Sequence, residues 1–82
     1  MSAYTYIVEC ADGSLYTGWT TELEKRLQAH NRGAGAKYTS GRTPVRLVYF
    51  EKHPDESAAR RRECAIKKLS RRQKLALCQG LR

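Results

Sequence analysis

Residues 4–10, YTYIVEC, are rich in β-branched and aromatic side chains and predict a strand. Asp12-Gly13 in the following ADGS is a strong hairpin signal, so LYTG at 15–18 reads as the returning strand. Thr21, with Glu24 three residues on, forms a capping box at the front of ELEKRLQAHN, and Leu23 and Leu27 give that helix one apolar seam. Residues 32–44, RGAGAKYTSGRTP, hold three of the six glycines and read as a basic, flexible loop. VRLVYFEK at 45–52 predicts a third strand, with Val45, Leu47 and Tyr49 on one face and Val48 and Phe50 on the other. HPD ends it and offers Asp55 as N-cap of a second helix over 56–69, whose apolar arc is Ala58, Ala59, Ala65, Ile66 and Leu69. Ser70 with Gln73 makes another capping box, starting a third helix that runs to Cys78 and stops at Gly80. The order is ββαβαα: one α+β domain over residues 1–82, the first and third strands antiparallel in one sheet and helices on its faces.

Composition narrows the class. A hydrophobic content of 40% is ordinary for a folded chain and argues against wholesale disorder. No uncharged apolar run approaches the ~18 residues of a membrane span, and MSAYTYIVEC lacks the basic and long apolar stretches of a secretory signal. Cys10, Cys64 and Cys78 are odd in number and widely spaced, and with His30 and His53 they do not form a zinc pattern. Reduced thiols in a cytoplasmic protein are the expectation. The formal net charge of +8 is unevenly spread: residues 1–31 carry two basic and four acidic side chains, residues 32–82 fourteen and four. That basic block suggests a polyanion, nucleic acid rather than a membrane surface, since the C-terminal helices offer Ala, Leu and Cys instead of a Trp or Phe insertion face.

Three constellations carry candidate chemistry. Tyr6 and Tyr16 flank the hairpin, and whether they meet depends on its turn. A two-residue Asp12-Gly13 loop sets Tyr16 opposite Glu9, on the other face from Tyr6. A three-residue Ala11-Asp12-Gly13 loop with Gly13 left-handed sets Tyr16 opposite Val8, on the same face. Either both phenols simply fill a half-buried sheet surface, or one of them acts in proton transfer. On the first helix Glu22, Arg26 and His30 recur at steps of four; they form a solvated ion-pair ladder or a site for a phosphate, with a guanidinium to hold oxygens and an imidazole to orient a phenol. On the second helix Glu63 sits at the edge of the apolar arc between Arg60 and Lys67, placed for an ion pair or for a hard divalent cation. Arg62 falls inside the arc and needs a partner or a snorkelling path. Lys37, Tyr38 and Arg42 in the glycine loop, with Arg60, Lys67, Lys68 and Arg71 on the C-terminal helices, are the candidate nucleic-acid contacts.

In order and spacing these residues resemble the GIY-YIG nuclease superfamily, in particular its small standalone bacterial members. The two name motifs correspond to YTY at 4–6 and YTG at 16–18, KRLQAHN supplies Arg26 and His30, and RRECAIKKL supplies Glu63. The resemblance runs over residues 4–77. It departs in the first motif, where Tyr4 and Thr5 replace Gly and Ile, and in the second, where Thr17 replaces Ile. The Asn that many members carry after the glutamate has no counterpart; Asn31 lies before it.

The resemblance implies a three-stranded antiparallel sheet flanked by helices and phosphodiester hydrolysis with one divalent cation, Mg²⁺ or Mn²⁺. Glu63 would then hold the metal and Arg26 the phosphate. Tyr6 would be the general base or water-orienting group, Tyr16 would stand beside the nucleophile, and His30 would support a phenol. The expected activity is an endonuclease acting on single-stranded, branched or damaged DNA in repair or recombination, with DNA favoured over RNA and no obligate protein partner. The alternative is a nucleic-acid-binding module that keeps the fold with little or no catalysis.

Overall fold

The Ala11–Gly13 turn decides the architecture of the first sheet pair. In the computed structural model, which describes residues 2–79, Gly13 is left-handed at φ 84°, and its N–H donates to the Cys10 carbonyl at 2.9 Å. Cys10 N–H donates to the Ser14 carbonyl at 2.8 Å, closing a three-residue loop. The register of β1 (Ala3–Glu9) on β2 (Leu15–Thr20) is therefore Val8 opposite Tyr16 and Tyr6 opposite Gly18. Of the two turns the sequence allows, this is the one that puts both tyrosines on the same face.

β3 (Arg46–His53) pairs antiparallel with the other edge of β1, giving a three-stranded sheet in the order β2-β1-β3. A bulge interrupts that ladder between Ile7 and Val8: Ile7 faces Tyr49 while Val8 faces Leu47, so Val48 is the extra residue. The bulge overturns the expected alternation. Leu47 packs with Tyr6, Val8, Cys10 and Val45 on one face, whereas Tyr49 joins Val48 and Ile7 on the other.

Helices cover both faces. α1 (Leu23–Asn31) lays Leu23 and Leu27 on the Tyr6 face. Its start differs from expectation, because β2 runs on to Thr20, whose hydroxyl accepts the Glu22 N–H at 3.1 Å. Glu22 is the N-cap, without a side-chain cap, and the Thr21–Glu24 box does not form. At the other end Gly33, at φ 79°, closes the helix with paired bonds from Gly33 N–H to the His30 carbonyl (3.0 Å) and from Ala34 N–H to the Ala29 carbonyl (2.9 Å). That sharp stop turns the chain back on itself. The segment expected to be loop throughout thus contains a short helix, α2 (Lys37–Ser40). Asn31, beside the stop, clamps β3 by accepting the Val45 N–H at 2.7 Å and donating to its carbonyl at 3.2 Å.

α3 (Glu56–Lys67) and α4 (Arg71–Gln79) lie on the opposite face, where Ile7, Ile66 and Cys78 form the core. The expected caps are present: Asp55 accepts the Ala58 N–H at 2.8 Å, and Ser70 and Gln73 bond reciprocally at 2.9 and 3.2 Å. The Gly80 stop lies outside the described residues. α3 is rotated from its expected orientation. Its buried line runs through Ala59 and Ile66, with the Thr5 hydroxyl donating to the Ala59 carbonyl at 2.8 Å, and Ala65 is exposed. The rotation follows from Arg62, which finds its partner in Glu51 of β3 through bonds of 2.9, 3.0 and 3.1 Å. Tyr49 donates a further short bond to Glu51. Burial acts to raise the Glu51 pKa, but hydrogen bonds from Arg62 and Tyr49 and the Arg62 charge hold it below the usual carboxylate value.

The rotation has a measurable consequence. Ile66→Ala empties a fully buried position and should lower unfolding free energy by about 2–5 kcal/mol in urea titrations, whereas Ala65→Gln should change it by less than about 0.5 kcal/mol. Comparable losses from both would contradict this seating of α3.

Candidate active site

Tyr6 is the centre of the site. It lies on the central strand with 1% of its surface exposed, and its phenol runs across the strand towards β2. It fits there because position 18 is glycine: a Cβ at Gly18 would stand 2.6 Å from Tyr6 Oη and 3.1 Å from the Tyr16 ring. The hydroxyl reaches His30 Nε2 at 2.7 Å and accepts from Arg26 Nε at 3.4 Å. Arg26 and His30, one turn apart on α1, thus meet the same oxygen. The ion-pair ladder is not formed; Glu22 pairs instead with Lys25 at 3.4 Å.

His30 is fully buried. Its Nδ1 lies 2.8 Å from Thr39 Oγ1 of α2, and Thr39 Oγ1 donates to the Ala36 carbonyl at 3.1 Å. Gly35 backs the ring closely, since a Cβ there would stand 2.5 Å from Nδ1. Tyr16 meets the imidazole edge-on at 5.4 Å between centroids, and Tyr6 does so at 5.7 Å. Burial lowers the His30 pKa, and the nearby Arg26 charge lowers it further. Burial raises the Tyr6 pKa; the Arg26 bond and charge oppose that, while Tyr16 and Glu63 add to it. The resting pair is therefore a neutral phenol against a neutral imidazole.

Glu63 arrives from the opposite side of the sheet. α3 carries it towards the β2 edge, with its side chain 16% exposed and 3.4 Å from Lys67 Nζ. The Lys67 ammonium in turn stands 6.0 Å from the Tyr16 ring centroid, and the Glu63 charge is the weakest of the influences that raise the Tyr6 pKa. Tyr6, Tyr16, Arg26 and His30 thus meet one another directly, whereas Glu63 is linked to them through Lys67, which stands against Tyr16. Among the described residues no three His, Cys, Asp or Glu side chains cluster as metal ligands. A cation held by Glu63 would take one carboxylate from the protein and its remaining ligands from water and substrate oxygens, a coordination that suits Mg²⁺. The donor set fits a hydrated hard cation of that kind.

The candidate nucleic-acid contacts are in varied states. Tyr38, 42% exposed, stacks on Tyr16 at 5.8 Å, and Arg42 lies 4.3 Å from the Tyr38 ring centroid. Arg42 is also held by Asp12 (3.0 Å) and by the Tyr38 carbonyl (2.6 Å). Arg60 lies 5.5 Å from the Trp19 ring centroid, and Arg71 donates to the Gly13 carbonyl at 2.9 Å. Lys37 and Lys68 are exposed. Thr39 and Gly35 are the parts of the site that sequence reasoning missed. The signal available was indirect: a buried imidazole needs partners for both nitrogens, and nothing in the spacing says which residue of a glycine-rich loop supplies the second.

Residues 2–76 match the family described as the GIY-YIG catalytic domain. A UPF0213 protein of Clostridium perfringens is 62% identical over 74 residues, covering 90% of this chain and 80% of that protein. One from Haloquadratum walsbyi is 57% identical over 76 residues, covering 93% and 85%. The solution NMR structure of a UPF0213 protein from Bacillus halodurans aligns at a TM-score of 0.61 with 49% identity, over 96% of this chain and 84% of that one. That of a protein from E. faecalis aligns at 0.65 with 44% identity, over 99% and 86%. The α+β sheet order and the motif residues thus have a common source: the chain belongs to the GIY-YIG catalytic-domain family, among the small UPF0213 proteins of bacteria and archaea.

Proposed function

We propose that this protein is a cytoplasmic, divalent-metal-dependent endonuclease that hydrolyses DNA phosphodiester bonds in single-stranded, branched or damaged substrates. The observation that carries the reading is the meeting of Arg26 and His30 on the Tyr6 hydroxyl (3.4 and 2.7 Å), with a partly exposed carboxylate, Glu63, paired to the Lys67 ammonium that stands against Tyr16. Family membership supports nuclease chemistry in general; the residue roles and the substrate belong to the proposal.

In the proposed reaction a water oxygen bonds to phosphorus and the P–O bond to the leaving oxygen breaks. With its pKa raised, Tyr6 is not a phenolate at rest, and a phenol near its ordinary pKa of ~10 is a poor source of one. Tyr6 instead relays: its oxygen takes the water proton as its own passes to His30 Nε2. The Arg26 guanidinium, beside that oxygen, offers its remaining N–H groups to the non-bridging phosphate oxygens. Tyr16 flanks the nucleophile and orders the imidazole by edge contact. A divalent cation on Glu63, when bound, would neutralise charge on the phosphate and on the leaving oxygen. Outside the reacting centre, Tyr38 offers a ring for base stacking. Lys37, Arg42, Arg60, Lys67, Lys68 and Arg71 offer charge to the backbone.

Single-stranded and branched oligonucleotides with Mg²⁺ or Mn²⁺ test the proposal. Wild type should cleave, and Glu63→Gln, Tyr6→Phe and Arg26→Ala should each lower kcat by roughly 10²-fold or more. Salt-sensitive binding with no cleavage by wild type under either metal would overturn it in favour of a binding module.

The buried His30 gives a second test, on stability. Its folded pKa is lowered by burial and then by Arg26, so between that value and the unfolded value of about 6.5 the unfolded chain binds more protons. Stability should be full above about pH 6.5 and fall below it, by up to about 1.4 kcal/mol per pH unit. Asp12 and Glu51, whose lowered carboxyl pKa values act only in more acid solution, leave this window clear. Urea titrations between pH 8 and 5 would show it; a flat profile down to pH 5.5 would contradict a neutral buried imidazole.

A further inference from the structure

His30 is useful to the proposed reaction only in one of its two neutral forms. If Nε2 carries the ring proton, the imidazole donates to Tyr6 and cannot receive from it. The hydrogen-bond chain around the ring bears on which form is present. Arg26 Nε can only donate, so at 3.4 Å the Tyr6 oxygen accepts there and the Tyr6 proton must go elsewhere. His30 Nε2, at 2.7 Å, is the acceptor within reach. At the other end the Ala36 carbonyl can only accept, so the single proton of Thr39 Oγ1 points to it at 3.1 Å. That leaves a lone pair of Thr39 Oγ1 facing His30 Nδ1 at 2.8 Å, a geometry that requires a proton on Nδ1. The opposite assignment puts two acceptors face to face between Thr39 and Ala36. It also leaves the Tyr6 proton with no acceptor among the described residues, at a side chain that is 1% exposed.

We propose that Thr39 is a positioning residue: its hydroxyl, itself aimed by the Ala36 carbonyl, fixes His30 as the Nδ1–H tautomer and so makes Nε2 the acceptor of the Tyr6 proton. The inference rests on the hydrolytic reading of the site and adds to it a residue from outside the reacting centre. Thr39 is fully buried, and its position is set by two features already described. The left-handed Gly33 stop turns the chain back against α1, and Gly35 lets that returning backbone lie on the imidazole. Arg26 then holds the Tyr6 oxygen from one side while Thr39 holds the imidazole from the other, so the proton path between them has one direction.

Two-bond ¹H–¹⁵N correlation spectra of the full-length protein at pH 7.5 report the tautomer directly. The chain has only two histidines, and His53 serves as an internal control. In wild type and in Thr39→Ser, His30 Nδ1 should have the shift of a protonated nitrogen and Nε2 that of a lone-pair nitrogen. Thr39→Val, which keeps the shape and loses the hydroxyl, should move His30 towards the Nε2–H form. It should also lower kcat by roughly 10²-fold with little change in KM, and Thr39→Ser should restore the rate. An Nε2–H tautomer in wild type would overturn the proposal, and so would an unaltered Nδ1–H tautomer in Thr39→Val. Should Thr39→Val fail to fold, Thr39→Ala, which also removes the hydroxyl, takes its place, with the same expected and overturning results. The spectra need no turnover: if the tautomers are as expected and wild type does not cleave DNA, the nuclease reading fails while the hold of Thr39 on His30 is supported.

Discussion

The hydrogen bond between Tyr6 and His30 is the interaction to which the rest of the molecule is fitted. Both side chains are essentially excluded from water, so leaving either polar group unpaired would cost about 1–3 kcal/mol. Joining them fixes the distance between the central strand and α1, and that spacing dictates what can stand on each side. Gly18 beneath the phenol and Gly35 behind the imidazole are required by space, since a Cβ at either would come within 2.6 and 2.5 Å of the pair. Thr39 satisfies the far nitrogen and Tyr16 fills the flank. A substitution at either glycine would therefore disturb the pair before it disturbed the hydrophobic core.

Two local irregularities make that pair part of a larger site. The three-residue turn ending in left-handed Gly13 sets Tyr16 opposite Val8; a turn one residue shorter would send Tyr16 to the α3 face, away from His30. The bulge in β3 places Tyr49 and Glu51 on the α3 face, where Glu51 engages Arg62. With Arg62 drawn towards β3, α3 is held in the rotation that carries Glu63 and Lys67 to the opposite edge, beside Tyr16. Arg62 and Glu63 are adjacent in sequence and point to opposite edges of one sheet. The first sets the helix, and the second uses the setting.

Much of the frame was legible. Strand composition, the Asp55 cap and the Ser70–Gln73 box each act within a few residues, and those signals survive folding intact. The failures share a different cause, competition from a partner distant in the chain. The Thr21 cap does not form because β1 pairing extends β2 to Thr20 and leaves Glu22 as the N-cap. The alternation in β3 failed at a bulge that depends on β1, and Ala65 lost its place in the core to a helix rotation tied to Glu51. Spacing alone left Arg26, His30 and Glu63 open between ion pairs and a site, and the family resemblance named them; the shared face of the tyrosines could be narrowed to two turns. Thr39 could not be named, since its contact with His30 depends on the Gly33 stop and on a four-residue helix inside a segment that reads as loop.

The charge asymmetry takes on a narrower meaning in this light. The basic excess of residues 32–82 is not all available to a polyanion: Arg42 is held by Asp12, Arg46 by Glu9, Arg62 by Glu51 and Arg71 by a backbone carbonyl. Two of these partners, Glu9 and Asp12, come from the acidic N-terminal third, so part of the opposition between the two halves is spent on joining them. An arginine with several N–H donors can keep such a partner and still meet a phosphate, but it does so from a fixed position. The basic side chains nearest the proposed chemistry are consequently more ordered than a count of charges suggests. Lys67 is the clearest case, one helical turn from Glu63 and close to the Tyr16 ring. A cation arriving at Glu63 would compete with that ammonium, and a phosphate arriving with the cation would offer the ammonium a new anion nearby. If Glu63 holds a metal as proposed, substrate and metal would in that way favour each other's binding.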